Sequence, residues 1–133
     1  MQAIQPEGWK APKGYANGIL VEPPFRLLSV AGQIAWDADA RLVGEGDFVA
    51  QFRQALANVA EVVRAAGGEP AHVTELTVFV TDKALYLGNL REIGAAYRDV
   101  MGRHFPAMAL VEVADLLEEG AFVEIQARAA LPG

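Results

Sequence analysis

The stretch DFVAQFRQALANVAEVVRAAGGEPAHVTELTVFVT, residues 47–81, decides the fold, because its apolar period changes partway along. Phe48, Phe52, Ala55, Leu56, Val59, Val62, Val63 and Ala66 recur at helical spacing, one stripe on one helix. Asp47 is placed to cap its N-terminus, and Gly67-Gly68 followed by Pro70 stops it. From Val73 to Thr81 the period drops to two. Leu76, Val78 and Val80 share one face, and Glu75, Thr77 and Phe79 the other, which is a strand.

On the N-terminal side, Gly18–Glu22 reads as a short strand stopped by Pro23-Pro24, and Arg26–Ala35 as a second strand in hairpin with it. Residues 1–17 read as a lead-in peptide. On the C-terminal side, Asp82 opens a second helix, with Tyr86, Leu90, Ile93, Tyr97 and Val100 as its stripe and Gly102 near its end. Gly94 within it implies close packing against another element, since glycine otherwise weakens a helix. Two further strands, Ala107–Val113 and Phe122–Ala129, flank an acidic loop.

The order is therefore β-β-α-β-α-β-β in a single domain spanning 1–133, an α+β class with two helices on one face of a mixed sheet. Crossovers imply parallel pairs and the end hairpins antiparallel ones. The strands are not polar enough on both faces for the uncovered side to meet water, so a homo-oligomer with ligand clefts between subunits is expected.

Composition narrows the function. The formal charge is −6, with 11 basic residues that form no run, which argues against a phosphate-neutralising surface and hence against nucleic acid. With no cysteine, disulfides and thiolate chemistry are excluded. No apolar run reaches membrane-spanning length and the first residues carry no signal pattern, so a cytoplasmic location is expected. Ser29, the only serine, lacks a nucleophile motif. His72 and His104 have no partners at metal-ligand spacing, so no metal is expected. Carboxylates within apolar strands remain: Glu112 in LVEVA and Glu124 in VEIQARA, where burial costs an unpaired charge.

Several segments, in this order, resemble the RidA/YjgF family of reactive-intermediate deaminases along essentially the whole chain. They are Gly14-Tyr15, Gly32-Gln33, Gln51 with Asn58, Val73 through Thr77-x-Phe79-Val80, Pro106-Ala107 with Val111-Glu112-Val113, and Val123-Glu124-Ile125. The resemblance implies a chorismate-mutase-like fold assembled as a homotrimer, with a small-molecule cleft at each subunit interface and no cofactor or metal. It also implies hydrolysis of enamines and imines of 2-oxo acids to ketone and ammonia.

By the same resemblance Glu124 is the catalytic glutamate that positions water, Tyr15 the cleft tyrosine and Gly32 the glycine whose backbone helps hold the ligand. The chain also departs from the family. Where the pattern reads Pro-Ala-Arg-Ser, this sequence reads Pro106-Ala107-Met108-Ala109, and the serine before the glycine is Ala31. The missing arginine is the one that pairs bidentately with the substrate carboxylate. Losing such a contact removes on the order of 2–5 kcal/mol of binding. A less polar cleft with a ligand other than 2-imino acids is expected. An ordinary 2-iminobutanoate/2-iminopropanoate deaminase is the alternative, with Arg91 as substitute cation where the family often has asparagine. A translation-inhibitor-type ribonuclease fits this acidic chain poorly, and a scaffold trimer without chemistry is the remaining reading.

Overall fold

The computed structural model describes residues 1–133. Six strands and three helices follow in the order β1 (Gln2–Ile4), β2 (Gly18–Leu20), β3 (Phe25–Gln33), α1 (Phe48–Ala65), β4 (Val73–Val80), α2 (Lys83–Leu87), α3 (Leu90–Met101), β5 (Ala107–Glu112) and β6 (Val123–Pro132). A short 3-10 turn, Pro70–His72, leads into β4. The expected α+β class and mixed sheet are present. The main sheet has the order β3-β6-β4-β5, with β6 antiparallel to both its neighbours and β4 parallel to β5.

Two pairings and one helix differ from the expectation. Gly18–Leu20 is not in hairpin with the following strand. It pairs antiparallel with Gln2–Ile4, inside the supposed lead-in peptide. Pro23 and Pro24 lack the N–H groups a hairpin ladder needs, so the chain leaves β2 before re-entering as β3. The two closing strands are not paired with each other either, because β6 inserts between β3 and β4 while β5 takes the outer edge. The second helix is broken in two. The Asn89 side-chain amide donates to Leu85 O at 2.6 Å, occupying the carbonyl its own backbone N–H would take in a continuous helix. That N–H turns to Tyr86 O instead.

α1 forms as its period demands. Asp47 Oδ1 accepts from Ala50 N at 3.1 Å, and Phe48, Phe52, Leu56, Val59 and Val63 are buried against β3 and β6, each contributing roughly 1.5–3 kcal/mol. α3 packs beside α1, adding Ile93, Ala96, Tyr97 and Met101 to the same core. The other face of the sheet carries no helix. There, Leu27 (65% exposed) and Val111 stand among Ser29, Gln126 and Arg128.

One buried residue on α1 is polar. Gln51 has no exposed surface; its Nε2 donates to Gly44 O (3.1 Å) and Gly120 O (3.0 Å), and its Oε1 accepts from Phe122 N (2.8 Å). It therefore ties the loop before α1 and the loop before β6 to the helix. Gly44 is confined to its place in that loop by a φ of +73° and by Ala50 Cβ, 2.9 Å from where a side chain would begin.

Gln51→Leu keeps the volume and orphans two main-chain groups, Gly120 O and Phe122 N, while Gly44 O still accepts from Asp47 N, so it is expected to cost about 2 kcal/mol or more in urea unfolding. A loss below 1 kcal/mol would show that water replaces the amide.

Candidate functional site

The carboxylate of Glu124 lies against the backbone of Gly32. A β-carbon built on Gly32 would sit 2.2 Å from Glu124 Oε2, 2.8 Å from its Cδ and 3.0 Å from its Cγ. No φ between +20° and +160° is involved, so a side chain here is opposed only by the Glu124 side chain, which it would have to displace. The local backbone makes that approach possible. Val30 pairs with Ala127 and Gln33 with Ile125, which leaves Ala31 and Gly32 bulged opposite Gln126. Such a bulge turns the end of β3 toward the face that carries Glu124. The Gln33 side chain closes it by donating to Ala31 O at 3.1 Å.

The chain beyond the bulge is held from α1. Asn58 Nδ2 donates to Ile34 O (3.0 Å) and Trp36 O (2.9 Å), and Asn58 Oδ1 accepts from Gln54 Nε2 (2.9 Å). Gln51 and Asn58, noted in the sequence only as part of an ordered series, thus work as side-chain amides that fasten loops. Polar residues on a helix read as solvent-facing, and only the tertiary placement shows their main-chain partners.

A second cluster forms at the opposite edge of the sheet. Ala16 bridges Ala107 in parallel, and its N–H donates to Pro106 O at 3.0 Å, which lays Tyr15 alongside β5. Tyr15, Thr77, Met108 and Ala109 line a shallow groove there. Tyr15 is exposed, and Met108 packs in part against the core.

The two clusters do not meet within one chain. Glu124 pairs with Phe79, and Phe79 with Val111, across the uncovered face. Met108 precedes Val111 by three residues and points, with its partner Leu76, to the helix-covered face. Strand spacing puts Met108 and Glu124 about 14 Å apart, on opposite sides of the sheet. Arg91 is exposed on α3 and lines neither cluster.

Other candidates turn out to be structural. Glu112 Oε1 accepts from Lys83 N at 2.9 Å and so, with Asp82, satisfies the first turn of α2. His72 Nδ1 accepts from Glu69 N, and His104 Nε2 bonds Val73 O at 2.6 Å, so each imidazole is engaged by the main chain. No three His, Asp or Glu side chains are grouped to hold a metal ion. Burial pushes the Tyr97 hydroxyl well above the usual phenol range, and it donates to His104 O while its ring stacks on Phe105 at 5.3 Å. Burial also raises Tyr86, whose hydroxyl makes no hydrogen bond within the chain.

A sequence model described as endoribonuclease L-PSP matches residues 9–131. The human 2-iminobutanoate/2-iminopropanoate deaminase is 30% identical over 85% of this chain and 77% of that protein. The Salmonella typhimurium protein of the same description is 37% identical over 76% and 77%. Among solved structures, a Rid-family protein of unknown function from Yersinia pestis superposes with a TM-score of 0.87 at 34% identity, covering 98% of both chains. The E. coli YjgF gene product gives 0.65 at 31% identity, covering 97% of this chain and 98% of that one. The chain belongs to the RidA/YjgF family.

If contact with Glu124 alone excludes a side chain at position 32, Gly32→Ala should cost about 1–3 kcal/mol, the usual range for overpacking. In a Glu124→Ala background the same substitution should cost less than about 0.5 kcal/mol, the range of independent sites. A double-mutant cycle by chemical denaturation reads the coupling, and simple additivity would disprove the contact.

Proposed function

We propose that this RidA/YjgF-family chain works in the cytoplasm as a homotrimer whose inter-subunit clefts bind or hydrolyse a small ligand other than 2-imino acids. The observation that carries the reading is Met108 at the position where the family resemblance expects arginine. A thioether offers no charge to a carboxylate, and its flexible, polarisable chain suits an apolar ligand wall. The division of the site supports the assembly. Glu124 with Gly32 lies on the uncovered face, and Met108 with Tyr15 lies at the far edge, so a cleft using both sets draws them from two copies. The exposed apolar side chains among the polar ones on the uncovered face fit a surface closed by neighbours.

In such a cleft Glu124 is the catalytic carboxylate. It accepts a proton from a water molecule as the water oxygen bonds to a C=N carbon. The proton passes to nitrogen, the resulting carbinolamine collapses, and ammonia leaves as the carbonyl forms. Water and imine are consumed in equal amounts, and no redox partner or cofactor enters. The Gly32 backbone, free of a side chain, gives the carboxylate and ligand room on the same side of the strand. No helix is long and apolar enough to cross a membrane.

A second reading is favoured by the descriptions of the human and Salmonella relatives: ordinary 2-imino acid deamination, with another cation, Arg91 first, replacing the absent arginine. The description endoribonuclease fits less well, since a net charge of −6 opposes approach to a polyanion.

Hydrolysis of 2-iminopropanoate, generated in situ by an amino-acid oxidase, separates these readings. Wild type is expected at the buffer rate, Met108→Arg above it by tenfold or more, a gain of about 1.4 kcal/mol in transition-state stabilisation. Glu124→Ala should abolish that gain. Glu124-dependent hydrolysis by wild type would overturn the proposal in favour of the second reading.

A further inference from the structure

Behind Met108, on the helix-covered side of the sheet, lies a cavity of about 310 Å³ between β5 and α3. Met108 and Leu110 form its floor, and Ile93 and Gly94 its helical wall. Three polar side chains, Tyr86, Tyr97 and Arg98, also line it, the Tyr97 hydroxyl being committed to His104 O, and no acidic residue does. In a chain with 17 acidic and 11 basic residues, a cavity bordered by one guanidinium and no carboxylate is a selective environment.

Arg98 is uncommitted. It makes no ion pair, and the carboxylate next to it in sequence, Asp99, is held by Arg53 at 2.7 Å. Its head folds back along α3, with Nη1 3.4 Å from where a Gly94 β-carbon would stand. Helical side chains lean toward the N-terminus, so residue 98 covers the surface above residue 94. Gly94 is thus explained differently from the sequence expectation: no other element packs against it, and its missing side chain leaves the cavity mouth open beneath the guanidinium. The Tyr86 hydroxyl, half-buried and without a partner in the chain, supplies a second donor.

We propose that this cavity binds an apolar monocarboxylic acid, its hydrocarbon body against Met108, Leu110 and Ile93 and its carboxylate on Arg98, with Tyr86 as a further hydrogen-bond donor. The proposal deepens the reading above, on which it rests for Met108 as a ligand wall, but it requires neither Glu124 nor hydrolysis. It also names the specificity. A body as short as that of 2-iminopropanoate leaves most of the volume unfilled, whereas an arylacetate or a branched six-carbon acid fills more of it. The planar guanidinium fork suits a carboxylate and gives nothing comparable to a neutral amide.

The test is isothermal calorimetry on the full chain with phenylacetate and 4-methylpentanoate, using phenylacetamide as the neutral control. The acids are expected to saturate the protein, with phenylacetate at least about tenfold tighter than the amide, the margin of a charge-assisted contact. Arg98→Gln should bring the acid down to the level of the amide. Gly94→Leu, which fills the mouth, should remove both. Gly94→Ala serves as the folding control: its methyl meets only the movable Arg98 head and restores helix propensity, so it should melt no lower than wild type. The readout is binding of a stable acid rather than turnover, which keeps the result independent of the imine assay. Equal affinity for acid and amide, an acid affinity unchanged in Arg98→Gln, or no saturation up to about 10 mM would each overturn the inference.

Discussion

The last strand of the chain is the one on which the rest of the sheet depends. β6 is hydrogen-bonded on both sides, to β3 from the first third of the chain and to β4 from the middle. Without it the sheet falls into two separate pieces. Its inward side chains Val123, Ile125, Ala127, Ala129 and Leu131 are buried under α1, so its register is locked by a core on one face. A pairing that waits for the C-terminal residues to return across the sheet is a long-range contact by construction, and its loop-closure entropy must be offset by burial.

That same central position sets where the candidate site lies. On the outward face of β6, Glu124 meets the β3 bulge, and the absence of a side chain at Gly32 lets the carboxylate lie against main chain. The helix behind contributes side-chain amides as well as apolar surface. Gln51 holds the loop entering β6, and Asn58 holds the loop leaving β3. Both loops adjoin the Glu124–Gly32 contact, so α1 supports the candidate site from the opposite side of the sheet. A fully buried amide such as Gln51, with its partners satisfied, favours a single arrangement, because losing it leaves main-chain groups unpaired.

How much of this was legible depended on whether a signal was local. The period of α1 and of β4 could be read directly, and Asp47 caps where it was expected. The break at Asn89 could not, since an asparagine inside an apolar stripe gives no warning that its side chain will take the Leu85 carbonyl. β1 was hidden by being three residues long within a proline- and glycine-rich segment. Of the candidate site residues, Glu124, Gly32 and Ala31 share one place and Tyr15, Met108 and Ala109 another. Arg98 was passed over because an exposed helical arginine looks like any other until the cavity beneath it is known.

The sequence alone determined the α+β class, the two amphipathic layers and the family, because each is carried by residue type, period or order along the chain. The tertiary structure decided the strand order, the separation of Met108 from Glu124 across the sheet, and the placing of Arg98 rather than Arg91 beside the apolar cavity. Those depend on which strand inserts where and on which way each side chain points. Period-two alternation says that two faces exist, and only packing against α1 and α3 says which face is which.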